Sequence, residues 1–231
     1  MPAGFFGKLP AKRDFVAVGA SRAFLETWEP WLQASLATSR QKLGAGWASA
    51  YNRAPIWRFW LGANFAGEAI VGALMASVDG VGRPFPLAVF AGEGEGLLPP
   101  PEIEANDAWC EAAEAALLSA LAPETAFEDF ARAVEALPSP ALQSRVEEIS
   151  GVEQMGENVV LVRGLDAQPS LAFRAARRFG HRGAFAGQSF WWTVGGEGYQ
   201  ALALAVVGLP APALFSDMLT GAFAKEAAGD G

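Results

Sequence analysis

Only one cysteine, Cys110, and one histidine, His181, occur in 231 residues. A single cysteine excludes a disulfide framework within the chain and, without histidine partners, a cysteine-based metal site. A single histidine excludes any site that needs two. Charge is also scarce, 18% of residues against 52% apolar, which excludes disorder as the general state. Basic groups are the minority sign, 17 against 25 acidic for a net charge of −8, and this argues against a general nucleic-acid binder. The phosphate-cradling patterns G-x-x-x-x-G-K-[ST] and G-x-G-x-x-G are missing, and no G-x-S-x-G elbow accompanies His181. Residues 92–96 alternate glycine with two glutamates, which would repel a phosphate, and residues 39–42 match S-x-x-K only by letter, on the polar side of a helix. No long apolar run is present either. Residues 201–215 are interrupted by Gly208, Pro210 and Pro212, short of the roughly 18–20 residues of a membrane helix. The first eight residues lack the basic-then-apolar layout of a secretory signal. The expectation is a soluble, cytoplasmic protein with no cofactor, no metal and no catalytic group.

What the chain does have is core material and segregated charge. At roughly 150 residues per domain the length permits one large domain or two small ones. Residues 1–60 hold eight basic and three acidic groups, residues 93–135 hold eleven acidic groups and one arginine, and residues 163–182 hold five arginines against Asp166. Such blocks are either the solvated faces of their own elements or surfaces that meet different partners. Helical spacing is expected after an N-cap at Ser21, with Pro30 in the first turn of a new helix ending at Gly44. Further helices are expected over 106–121, 124–137 and 212–224. Apolar strands are expected at 56–61, 69–78, 86–91, 159–162, 190–194 and 201–207. Several are apolar throughout, as strands covered on both faces are. The fold class is therefore α/β, one domain over 1–231, with a mixed central sheet and helices on both faces.

Two segments carry more charge than a structural turn requires. In residues 7–15, Lys8, Lys12, Arg13 and Asp14 lie between apolar anchors; in residues 77–83, Asp79 and Arg83 sit just beyond a buried strand. Loops outside strand ends are where open α/β sheets place binding groups. An Asp79–Arg83 ion pair that fixes the turn is the structural alternative. The eight tryptophans are many for one small core. The neighbours Trp191 and Trp192 should point to opposite faces of their strand, and an exposed one would mark a partner surface. Arg174, Arg177, Arg178, His181 and Arg182 form a cluster able to bind an anion or phosphopeptide, or simply a basic loop pairing with acidic neighbours. Cys110, beside Trp109 on an alanine-rich helix, reads as a small buried hydrophobe.

The words at residues 4–10 with Asp14 and Phe15, then 54–59, 72–83 and 85–87, and late in the chain 189–193 and 208–210, resemble in their order the type VI secretion-associated TagF/ImpM family. The similarity is densest over residues 4–92. Arg13 stands where the family has glycine, and Ala76 where it often has proline. The resemblance implies a cytoplasmic, non-enzymatic, post-translational repressor of secretion assembly. It would act beside a threonine kinase–phosphatase pathway and a forkhead-associated scaffold protein. On this reading Lys8, Asp14, Arg58, Asp79, Arg83, Trp191 and Trp192 are the candidate partner-binding residues. The alternatives are a hydrolase acting on an anionic substrate, with Asp14 or Asp79 as acid–base, and a phosphopeptide receptor using the arginine cluster.

Overall fold

A computed structural model describes residues 1–94, 96–122, 124–140, 152–155, 160–163 and 169–223. Ser21 caps α1 (Arg22–Leu43): its Oγ accepts from the N–H of Phe24 at 3.2 Å, supplying one of the donors that a helix start leaves unpaired. The helix closes at Gly44, whose φ of 50° suits a residue without Cβ. Pro30 lies inside α1 rather than opening a new helix. Its cost in lost backbone bonding is offset by the stripe Phe24, Trp28, Trp31, Leu32, Ser35, Leu36 and Ser39, all buried along one face. A short helix, α2 (Trp47–Arg53), follows.

Among the described residues, seven strands form one open sheet: β1 (Gly4–Gly7), β2 (Val16–Val18), β3 (Trp57–Leu61), β4 (Ile70–Met75), β5 (Leu87–Gly92), β8 (Gln188–Thr193) and β9 (Leu202–Val207), in the order β2-β1-β5-β4-β3-β8-β9. A separate two-stranded ribbon pairs β6 (Val152–Gln154) with β7 (Val160–Val162), so the strand expected at 159–162 lies outside the main sheet, and its first residue lies outside the described residues. Every pair in the main sheet is antiparallel, so the sheet is not mixed. The β3–β4 and β4–β5 connections are too short to carry a crossover and must reverse the chain. Unbroken apolar strands reflect burial on both faces, which parallel pairing also produces but does not own. β3, β4 and β5 are buried at every position.

Side-chain alternation sorts the core into two layers. On one face Phe6, Trp57, Phe59, Leu74 and Phe90 pack under α1, α2 and α7 (Leu214–Thr220). On the other Phe5, Trp60, Val71, Val89 and Met75 pack under α3 (Asp107–Ser119) and α4 (Phe127–Glu135). Helices on both faces of an α/β sheet are thus present as expected. Gly72 faces Phe59 in register, and a Cβ there would come within 2.2 Å of the ring. Only glycine lets the ring lie across the neighbouring strand. The last helix is shorter than the 212–224 expected from sequence, and residue 224 lies outside the described residues. On the arginine-rich stretch lie α5 (Pro169–Phe179) and α6 (His181–Ala184).

Candidate functional site

The β1–β2 loop and the β4–β5 turn come from sequence words about 70 residues apart, and backbone bonding welds them together. Ser77 Oγ donates to the carbonyl of Lys8 at 2.7 Å, and the N–H of Gly80 donates to the carbonyl of Lys12 at 2.7 Å. Tyr51 from α2 fastens the pair from beneath. Its hydroxyl donates to the Ser77 carbonyl at 2.9 Å and accepts from the Ser77 N–H at 3.0 Å. Burial pushes the Tyr51 phenol well above its ordinary range, so it stays a neutral donor.

Asp79 is the hub of this corner. One carboxylate oxygen accepts from the N–H groups of Val81 (3.1 Å) and Arg83 (2.9 Å), which is the reason an aspartate opens this turn. The other meets Arg83 Nε at 2.6 Å and Lys8 Nζ at 3.0 Å. Gly82 takes φ of 82°, which the reversal requires. The Asp79 side chain is fully buried and that of Lys8 nearly so. Burial alone would raise the Asp79 pKa; hydrogen bonds from the Arg83 N–H, Lys8, the Arg83 side chain and the Val81 N–H outweigh it and hold the carboxyl well below the usual carboxylate range. A carboxylate so held is a weak proton acceptor and therefore a poor general base.

The low pKa links folding to pH with a definite sign. A depressed folded pKa contributes stability above the unfolded value near 4, and that contribution is lost as pH falls below it. Asp79→Asn is expected to melt below the wild type at pH 7, with the gap narrowing below pH 4. Thermal melts followed by circular dichroism across that range will check it; a constant gap would mean that the carboxylate charge contributes nothing.

The surface of the corner is cationic and aromatic. Arg83 Nη2 donates to the Arg13 carbonyl at 2.5 Å and keeps its side chain more than half exposed. Phe15 is 49% exposed yet fixed, against Phe85 at 4.7 Å and Phe6 at 6.3 Å between ring centroids, with Lys8 Nζ 5.1 Å from its own centroid. Arg40 reaches in from α1, donating to the Pro84 carbonyl and stacking over Trp47. Lys8, Asp79 and Arg83 are therefore brought together as a turn clamp, with Asp14 exposed on the adjoining loop. Sequence reading singled out neither Phe15 by itself, Tyr51 nor Arg40. Phe15 had a local signal, an aromatic beside four charges; the other two are recruited by tertiary contact alone.

The remaining candidates lie elsewhere. Arg58 is buried at the sheet–α3 junction, forking onto Glu114 at 2.7 and 3.1 Å and reaching Asp107 at 3.3 Å. It is not offered to a partner, because its fork is spent fastening α3. The hydrogen bonds it donates to Glu114 raise its pKa further. Trp191 is fully buried in the α1 layer, since its ring stacks on Trp28 at 5.9 Å; Trp192 points to the opposite face and is half-buried. Alternation holds for the pair, but Trp191 gives no surface. Burial pushes the Cys110 thiol up to about 12, as befits a core residue. In the arginine cluster, Arg182 meets Glu93 at 2.9 Å and Arg177 meets Glu102 at 3.6 Å. These two pair with acidic neighbours. Arg174 and Arg178 are exposed, and the His181 side chain lies outside the described residues. No cluster of three metal-ligating side chains occurs among the described residues, and no described helix is long and apolar enough to cross a membrane.

Fold and corner together define an α/β protein with an antiparallel sheet and a cross-linked, basic loop pair at one end. Residues 4–137 match the model of the TagF N-terminal domain, described as type VI secretion system-associated. The chain belongs to this family. It is also similar to the crystal structure of PA0076 from Pseudomonas aeruginosa PAO1, with a TM-score of 0.77 and 34% identity over 99% of both chains. No curated protein matches it.

Proposed function

We propose that this protein restrains type VI secretion from the cytoplasm by binding a component of the machinery, with no catalytic step of its own. A forkhead-associated scaffold protein is the partner, and a threonine-phosphorylation pathway governs the outcome. Family membership supports the link to secretion. The observation that carries the binding reading is the corner itself. The segments of residues 7–15 and 77–83 converge on one rigid surface whose central carboxylate is saturated by four donors rather than left free for chemistry. Deleting the protein should raise type VI secretion in culture supernatants, and the purified protein should retain the forkhead-associated scaffold. Unchanged secretion together with failure to retain the scaffold would overturn the reading.

A further inference from the structure

We propose that the corner around Phe15 docks an acidic segment of a partner protein, with Phe15 as its aromatic anchor; this rests on the binding reading above and gives that site its ligand chemistry. The first argument is charge. In a chain of net −8, this corner carries Lys12, Arg13, Arg40 and Arg83 on its surface. The facing acidic groups are Asp14, Glu128, which lies 3.9 Å from Lys12, and Asp79, which is buried and already matched by Lys8 and Arg83. Among the described residues the Arg13 guanidinium has no partner, and Arg40 meets a carbonyl and a ring face but no carboxylate. Cationic forks without carboxylates are complementary to a carboxylate-bearing segment.

The second argument is the apolar content. Phe15 and Val81 are exposed by 49% and 57% on the same two cross-bonded loops. An aromatic flanked by arginines is the composition of interface centres. Phe15 is already fixed by Phe6 and Phe85, and the loops by Ser77, Gly80 and Asp79, so little conformational freedom is lost on docking. A simple anion would not use Phe15, and the acidic remainder of the chain opposes a long phosphodiester strand. An acidic protein segment with an apolar side chain between its carboxylates satisfies both parts of the corner.

The probe is a short fluorescein-labelled peptide alternating Glu, Asp and Leu, titrated with the full chain and followed by anisotropy. Saturable binding is expected, weaker at about 0.3 M salt than at low salt. It should weaken about tenfold or more in Arg13→Glu and in Phe15→Ala, each removing one interface residue. Arg53→Glu, an exposed arginine on α2, should leave it unchanged. Circular dichroism melts confirm that each variant is folded. No saturable binding, or equal weakening in all three variants, overturns the proposal. Tighter binding of a labelled single-stranded oligonucleotide overturns it too, as does a dimer in sedimentation that Arg13→Glu disperses, because the occupant is then a nucleic acid or a second copy. If the peptide fails while deletion still raises secretion, the docking inference falls and the regulatory reading stands. If the peptide binds while deletion changes nothing, the regulatory reading falls.

Discussion

Trp28→Ala is expected to destabilise the protein by about 3–5 kcal/mol, whereas Trp28→Phe should change stability by about 1 kcal/mol or less. Trp28 is fully buried where α1 meets the sheet, with ring centroids of Phe24, Trp31, Phe59 and Trp191 between 4.7 and 5.9 Å away. Truncation to alanine removes dispersion contacts to all four and leaves a cavity that rigid rings on helix and strand cannot collapse to fill. Phenylalanine is different because the Trp28 indole N–H has no hydrogen-bond partner among the described residues. Its neighbours are matched: Trp31 donates to the Pro210 carbonyl at 2.7 Å and Trp57 to that of Met218 at 3.0 Å. Removing an unpaired buried donor recovers its desolvation cost, roughly 1–3 kcal/mol, and offsets the smaller ring. Urea unfolding followed by circular dichroism separates the two outcomes. A phenylalanine variant as unstable as the alanine one would show that relief of the unpaired N–H contributes nothing and that the indole shape itself is required.

Arg58→Ala should cost about 3 kcal/mol or more, and most of that should return in the double variant Arg58→Met with Glu114→Leu. Arg58 projects from β3 between the sheet and α3, where only 4% of it is exposed, and its bidentate partner Glu114 is also largely buried. Removing the guanidinium alone leaves a largely buried carboxylate without its counter-charge. Removing both replaces an ion pair by apolar contacts beside Cys110 and Trp60, which interiors often tolerate at no net cost. The same unfolding experiment reads both variants; a double variant no better than the single would mean that the fork supplies positioning of α3 that packing cannot replace.

Much of the fold was legible because the signals are local. Ser21 as a cap, Gly44 as a stop and the helices at 106–121 and 124–137 follow from side-chain chemistry within one or two turns. Strand positions followed from apolar runs, and burial on both faces from their lack of alternation. Strand direction did not follow, since direction depends on how distant segments pair. β1 pairs with β5, and β3 with β8, between segments far apart in the chain. Pro30 was misplaced because local propensity puts it at a helix start, whereas a long buried stripe carries α1 through it.

The candidate residues divide along the same line. The sequence by itself determined that Asp79 and Arg83 share a turn, that Trp191 and Trp192 face opposite ways, and that residues 4–10 with Asp14 and Phe15, and residues 72–83, resemble a secretion-associated family. A four-residue separation, a two-residue strand period and a linear word all live in the chain. Only the tertiary structure decided that Lys8 joins Asp79, that Arg58 is a buried staple, that Trp191 is core, and that Arg40 and Tyr51 complete the corner. A charged side chain looks alike in sequence whether it meets water or a carboxylate. Burial is decided by which distant surfaces pack over it, and here α3 covers Arg58 while residues 11–15 remain open.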